Sequence, residues 1–335
     1  MSAEEAPASP DGPGWGILAT GGIAQLFTKD LLAHGHRVVA VGSRSAEAAA
    51  AFAESFGLPR AHGSYEDLVA DPEVDIVYVA TPHTLHAANT LLALDHGKHV
   101  LVEKAFTLNA PEARAVAERA AASGRVVLEA LWTRFLPHMQ ALRETIASGR
   151  IGAVRSVHAV HAQHLQVPDT HRLYDRDLGG GALLDLGVYP ISFVHDLLGA
   201  PVDLSATATF TDTGVDGAVA TVGRHAGGAL STTYSSMIEA GHNSASVLGS
   251  EGRIEIAATW YASSAFTVHG PDGSVLEEVR PEVSGRGMQH QAREMERLVR
   301  DGLTESPLLP LHESVAVMET LDRVREQIGL GYPGE

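Results

Sequence analysis

From residue 14 to about residue 133 the chain alternates short apolar runs with Ala-rich amphipathic stretches. "WGILA", "RVVAVGS", "VDIVYVAT", "KHVLVEK" and "RVVLEAL" read as strands, and the segments between them read as helices. Strands that are apolar without alternation are buried on both faces, as in a parallel sheet covered by helices. Most of the intervening helical stretches end at a glycine such as Gly35, Gly57 or Gly124, which suits a left-handed C-cap. This order restricts residues 14–133 to a doubly wound α/β (Rossmann) domain.

After Trp132 the texture changes. One helix precedes a long strand, a Gly-rich turn and another helix follow, and then come several alternating segments joined by turns such as "AGG", "SEG" and "PDG". Residues 134–335 are expected to form an α+β domain with a large, mainly antiparallel open sheet. One face of such a sheet needs cover, from helices or from a second subunit, so a homodimer or a dimer of dimers is expected. Residues 1–13, acidic and rich in Pro and Gly, read as a disordered tail rather than a signal peptide or anchor.

Composition removes several function classes. A net charge of -17 without basic runs argues against nucleic acid or anionic membrane as partner. With no Cys, disulfides, thiolate nucleophiles and Cys-ligated zinc are excluded. No apolar run approaches the length of a membrane span, and a cytoplasmic location is expected. His158, His161 and His164 tempt a metal reading, but residues three apart on a strand face opposite ways. No metal is expected.

The turn "GILATGGIA" joins the first strand to the first helix. Against G-x-G-x-x-G/A it reads Ala19, Gly21 and Ala24. Gly21, Gly22, Ile23 and Ala24 would present the helix N-terminus to a pyrophosphate, with Gly21 giving close backbone approach. Ala19 in place of the first glycine predicts a negative φ there. The second strand ends in "VGSRS", where an NAD enzyme usually has an acid for the ribose 2′-hydroxyl. Ser43 and Arg44 suit a 2′-phosphate instead, so NADP is expected in preference to NAD.

Of 24 basic residues only Lys29, Lys98 and Lys104 are lysine. Arg stays protonated in proteins, whereas burial can tune a Lys into proton chemistry. Lys104 closes a buried strand beside Glu103, at the carboxyl end where parallel sheets bind ligands.

"TPHTLH" (residues 81–86), "EK" (103–104), "LWTRFLP" (131–137), "RDLGGGALLDLGVYPISFVHDLLG" (176–199) and "GLTESPLLPLHES" (302–314) occur in one order along the chain. Together they resemble the Gfo/Idh/MocA oxidoreductases, closest to the branch of dimeric trans-dihydrodiol dehydrogenases and NADP-dependent D-xylose dehydrogenases. Two departures stand out: Ala19, and "EKA" where the family usually has E-K-P, which would leave Lys104 less rigidly placed. The resemblance implies hydride transfer between a nicotinamide and a hydroxyl-bearing carbon of a sugar, polyol or cyclic diol. It implies that Tyr189 is the acid/base, with Asp185 and Lys104 as the other catalytic residues. A lysine ammonium would lower the phenol from its usual pKa of ~10 and bind the forming alkoxide. Asp185 and Tyr189 share a helix face at four residues' spacing, although Gly187 and Pro190 predict a break in that helix. Thr81, Pro82 and His86 resemble the adenine- and ribose-side loop, and Glu103 lies with Lys104 near the nicotinamide ribose. Trp132 and Arg134 would border the nicotinamide pocket, and Trp260 would wall the substrate pocket. Two other readings stand beside this one: a dinucleotide-dependent sugar sensor without turnover, and a glycosidase that retains its NAD.

Overall fold

The computed structural model describes residues 12–335. The tail read at residues 1–13 lies, up to residue 11, outside them. In chain order the elements begin β1 (Trp15–Leu18), α1 (Gly22–Ala33), β2 (Val38–Gly42), α2 (Ala46–Phe56), β3 (Arg60–His62), α3 (Tyr65–Ala70), β4 (Ile76–Val79), α4 (His86–Asp95), β5 (His99–Glu103), α5 (Ala110–Ser123) and β6 (Val127–Ala130). There follow α6 (Pro137–Ala147), β7 (Val154–Ala162), a π-helical turn (Leu183–Gly187) and α7 (Val188–Leu198). The chain continues through β8 (Pro201–Phe210), β9 (Asp216–His225), β10 (Leu230–Ser236), β11 (Ala245–Gly249), β12 (Arg253–Ile256), β13 (Phe266–His269) and β14 (Val275–Val279). It closes with α8 (Gln289–Arg300) and α9 (Leu311–Ile328).

Two compact units result. The first comprises the chain up to Trp132 together with Ser284–Val315, and the second comprises Thr133–Val283 with Ala316–Glu335. The sequence alone assigns Ser284–Val315 to the second domain. Buried polar bonds explain its place in the first. Asp30 on α1 accepts the Arg286 and Met288 N–H groups at 3.2 and 2.9 Å. Glu296 on α8 accepts from the Trp15 indole at 2.8 Å and meets His36 Nδ1 at 2.7 Å.

In the first unit the sheet order is β3-β2-β1-β4-β5-β6, with every neighbouring pair parallel. Strand order reverses between β1 and β4, the switch point where such sheets open a crevice at their carboxyl ends. Trp15, Phe27 and Tyr78 fill the core beneath it, with ring centroids 5.6 and 4.0 Å apart in succession. Gly42 is needed at the end of β2, because a Cβ there would lie 2.8 Å from Leu68 Cβ.

The second unit holds an eight-stranded sheet ordered β14-β13-β12-β11-β7-β10-β9-β8. Its pairs are antiparallel except β7 with β10. α7 packs on β7 and β10, covering one sheet face. The opposite face carries Val222, Thr232 and Leu230 exposed and His158 half-buried. Residues 176–198 do reach the length and apolarity of a membrane span, contrary to the sequence reading, but 83% of that apolar window is buried inside the unit.

Gly187 and Pro190 do not break the helix. The π-helical turn runs straight into α7. Pro190 follows directly on the π-helical turn, where the wider π spacing already interrupts the regular α-helical bond ladder, so the proline that cannot donate is accommodated without ending the helix. A Cβ on Gly187 would sit 2.9 Å from Ser235 Oγ, so the glycine allows the close approach to β10.

Candidate active site

In the first unit the expected cofactor residues lie at or after the carboxyl ends of five parallel strands. Gly21 is the N-cap of α1, and Gly22 and Ile23 open the helix, with Ala24 buried behind them. No side chain caps this terminus, and no acidic residue occupies its first turn. A Cβ at either Gly21 or Gly22 would meet nothing within 4 Å. The terminus therefore offers unneutralised N–H groups to open space, the arrangement an anion requires.

Ala19 departs from expectation. Its φ is 91°, not negative. Its N–H continues the β1–β2 ladder to Gly42 O at 2.9 Å, and the chain then turns toward α1. The alanine thus adopts the conformation for which the fingerprint normally supplies glycine.

At the end of β2, Ser43 is buried and Arg44 exposed. Ser43 Oγ accepts the Ser45 N–H at 3.3 Å, and Ser45 caps α2 through the Ala48 N–H. Arg44 lies against the Tyr65 phenol. Burial pushes that phenol up, and the Arg44 guanidinium offsets part of the rise. Tyr65 escaped the sequence reading, because nothing local pairs it with residue 44.

The loops after β4 and β5 are tied together. The His86 ring meets Thr81 O through Nε2 and Ala105 O through Nδ1, each at 2.8 Å. Asn89 Nδ2 donates to Thr81 Oγ1 at 3.2 Å. Glu103, buried at the end of β5, accepts from Tyr78 Oη at 2.5 Å and from the Lys104 N–H at 3.3 Å. The Lys104–Ala105 peptide is cis. Lys104 is half-buried, and Pro82 likewise. Trp132 is buried, with the Arg286 guanidinium 5.5 Å above its ring.

In the second unit Tyr189 projects from the first turn of α7. Its ring is 4.9 Å from that of His161, edge to face, and 5.6 Å from that of Tyr261. His161 stacks on Tyr261 at 3.7 Å, and Gln163 Nε2 bridges His161 Nε2 and the Tyr261 hydroxyl at 2.7 and 2.9 Å. Asp185, on the π-helical turn, accepts from Arg172 Nη2 at 3.0 Å. Arg134 is buried, ion-paired with Asp196 and 3.3 Å from Ser192 Oγ, so its guanidinium holds α7. Trp260 is fully buried, donating to Val160 O at 2.8 Å, and packs on Phe193 rather than walling a pocket. Its neighbour Tyr261 takes the place beside Tyr189. His158 bonds Thr232 Oγ1 at 2.7 Å near the surface, whereas His161 is buried on the helix side. Parity along β7 pointed to this separation, but not to His161 as a neighbour of Tyr189.

Residues 14–131 match the model of the oxidoreductase family with an NAD-binding Rossmann fold, and residues 139–255 match the GFO/IDH/MocA C-terminal domain. The trans-1,2-dihydrobenzene-1,2-diol dehydrogenase of Mus musculus is 37% identical over 95% of this chain and 98% of its own length. The D-xylose 1-dehydrogenase (NADP(+)) of Hypocrea jecorina is 38% identical over 95% and 93%. Among solved structures, the 3-ketoreductase KijD10 of Actinomadura kijaniata, in complex with NADP and TDP-benzene, superposes with a TM-score of 0.84 at 28% identity, covering 95% and 98%.

Proposed function

This chain belongs to the Gfo/Idh/MocA family of oxidoreductases, and from that premise we propose that it is an NADP-dependent dehydrogenase acting on a hydroxyl-bearing carbon of a sugar, polyol or cyclic diol. The observation that carries the reading is the first unit's strand-end array. It combines an uncapped α1 terminus, free of acids and facing open space, with Ser43 and Arg44 where an NAD enzyme has a carboxylate. The related xylose dehydrogenase is an NADP(+) enzyme and KijD10 binds NADP, which supports the same cofactor here.

Bound NADP would supply the nicotinamide carbon that exchanges hydride with the substrate carbon. The chain's own groups do the rest. The N–H groups at Gly22 and Ile23 hold the pyrophosphate, and Arg44, steadied by Tyr65, pairs with the 2′-phosphate. His86 fixes the Thr81–Pro82 loop to the backbone just after Lys104. Tyr189 takes the hydroxyl proton as the carbon is oxidised and returns it in the reverse direction. Lys104 supplies positive charge to the oxygen as it becomes an alkoxide. Asp185, held by Arg172, sits one turn before Tyr189. The stacked His161–Tyr261 pair, with Gln163, offers a flat face and polar edges to a hydroxylated ring. The exposed face of the second sheet, with Val222, Thr232 and His158, supports a two-fold dimer.

The test is a panel of aldoses, inositols and trans-dihydrodiols, followed by NADPH absorbance and repeated with NAD. Turnover with NADP on at least one class is expected. Tight NADP binding without turnover on any would favour a sensor and overturn the proposal.

A further inference from the structure

The helix that bears Asp185 and Tyr189 begins on a buried acid. Asp216, the first residue of β9, has no exposed surface. Its Oδ2 accepts the N–H of Leu183, the first residue of the π-helical turn, at 2.6 Å. Its Oδ1 faces Gly181, where a Cβ would lie 1.9 Å away, and has no hydrogen-bond partner among the described residues. Gly181 also has φ 118°, so both space and backbone conformation require glycine. Gly180 is equally confined. A Cβ there would lie 2.6 Å from Leu173 O, and its own carbonyl accepts from Tyr332 Oη at 2.8 Å. Within the glycine run before the helix, Gly181 is therefore shaped around the Asp216 carboxylate, and Gly180 around the carbonyls of Arg172, Leu173 and Asp175.

Capping alone does not require an acid. Asn caps a helix about as well as Asp, and a neutral amide oxygen would accept the same N–H without burying a charge. Here the charge is costly. Burial pushes the Asp216 carboxyl up to about 7, opposed by the N–H groups of Leu183, Asp216 itself and Ala182 and by the Arg325 charge. The charged and titratable groups that act on it are Arg325 on α9 and Tyr332 after α9; Tyr332 in turn faces Glu335 and Arg176. What the acid adds over an amide is a full negative charge at the positive end of the helix, two residues before Asp185 and six before Tyr189.

We propose that Asp216 is a positioning residue for the reaction: its carboxylate clamps the start of the Leu183–Leu198 helix and so holds Asp185 and Tyr189 in place. The inference rests on the catalytic assignment of Tyr189. It places Asp216 outside the reacting atoms, acting only through the helix it anchors. Turnover then depends on the ionised clamp, while NADP affinity, which belongs to the first unit's residues, does not.

The experiment compares wild type, Asp216→Asn, Asp216→Ser, Tyr189→Phe and the double variant Asp216→Asn/Tyr189→Phe. Readouts are kcat on both sides of pH 7, NADP affinity and thermal melting. A misplacement of about 1 Å costs on the order of a hundredfold, so the Asp216 variants are expected to lose about ten- to a hundredfold in kcat with NADP affinity unchanged. The wild-type kcat should rise through an inflection near pH 7 that the Asn variant lacks. On the Tyr189→Phe background Asp216→Asn should cost less than about threefold, because no phenol remains to be positioned. Wild-type kcat in a folded Asp216→Asn protein, or an undiminished loss on the Tyr189→Phe background, overturns the inference. If neither Asp216 variant folds, a wild-type kcat that is flat through pH 7 overturns it, and an inflection there supports it. Full turnover in Tyr189→Phe alone would instead sink the catalytic assignment, and that single variant reports it separately.

Discussion

The His161 imidazole stacks on the Tyr261 ring at 3.7 Å between centroids, and the same imidazole meets the Tyr189 ring edge to face at 4.9 Å. Tyr189 thus shares its surroundings with a preformed aromatic face. An aromatic pair of this kind contributes about 0.5–1.5 kcal/mol beyond its buried area. Tyr261→Ala should therefore raise KM for the ring substrate by about two- to tenfold, with a smaller change in kcat. Steady-state kinetics check this. An unchanged KM would show that the substrate does not use the stacked pair.

Arg44 should read the cofactor's 2′-phosphate. Losing one charge-assisted contact of ~1.5–3 kcal/mol corresponds to about 10- to 150-fold in affinity. Arg44→Ala should weaken NADP by that factor and NAD far less, as measured by fluorescence titration of both cofactors. Equal losses would remove Arg44 from the phosphate site.

Ala19 at φ 91° is strained in a way glycine would relieve. The left-handed region costs an L-residue roughly 1–2 kcal/mol, and glycine's extra freedom in the unfolded chain takes back roughly 0.5–1. Ala19→Gly should thus stabilise by about 0.5–1 kcal/mol and raise the melting temperature slightly. A clear fall would show that the turn tolerates alanine without strain.

Acid should weaken the fold. Burial lowers His99, His138 and His290 from 6.5 to about 4, and His195 to about 3. Between those values and 6.5 the unfolded chain binds more protons, so stability is lost as pH falls. Asp216 acts oppositely: its pKa rises from 3.8 to about 7, so its contribution declines as pH rises through that window. Four groups outweigh one, and the melting temperature should drop between neutral pH and about pH 5. His138→Gln keeps a donor for Trp260 O, which His138 Nε2 meets at 3.0 Å, and should flatten the slope. A melting temperature constant over that range would contradict this account.

The parallel strands were legible because both their faces are buried, leaving unbroken β-branched runs such as Ile76–Val79. The strand-end residues Gly21, Ser43, Arg44 and Lys104 were legible because a parallel sheet places ligands at one edge. The conformation of Ala19 was not, since an alanine in place of the fingerprint glycine carries no local signal for a positive φ. Nor was the place of α8, fixed by Asp30 and Glu296 across more than two hundred residues. His161, Gln163 and Tyr261 carry no local motif. Only the pairing of β7 in its sheet, with α7 packed over it, brings them to Tyr189.

The second sheet's exposed face should join two copies of the chain. Val222→Glu would place a charge on that face, beside Thr232 of β10, and light scattering should show dimer for wild type and a shift toward monomer for the variant. A monomeric wild type at micromolar concentration would remove the interface.

The assignment of Tyr189 as acid/base is tested most directly by the turnover of Tyr189→Phe on whichever substrate the panel identifies. A positioned acid/base contributes about 10²–10⁴-fold, so kcat should fall by that factor while NADP affinity stays at the wild-type value. A Tyr189→Phe enzyme with near-full turnover would contradict the account and move the proton to another residue, with Lys104 first in line.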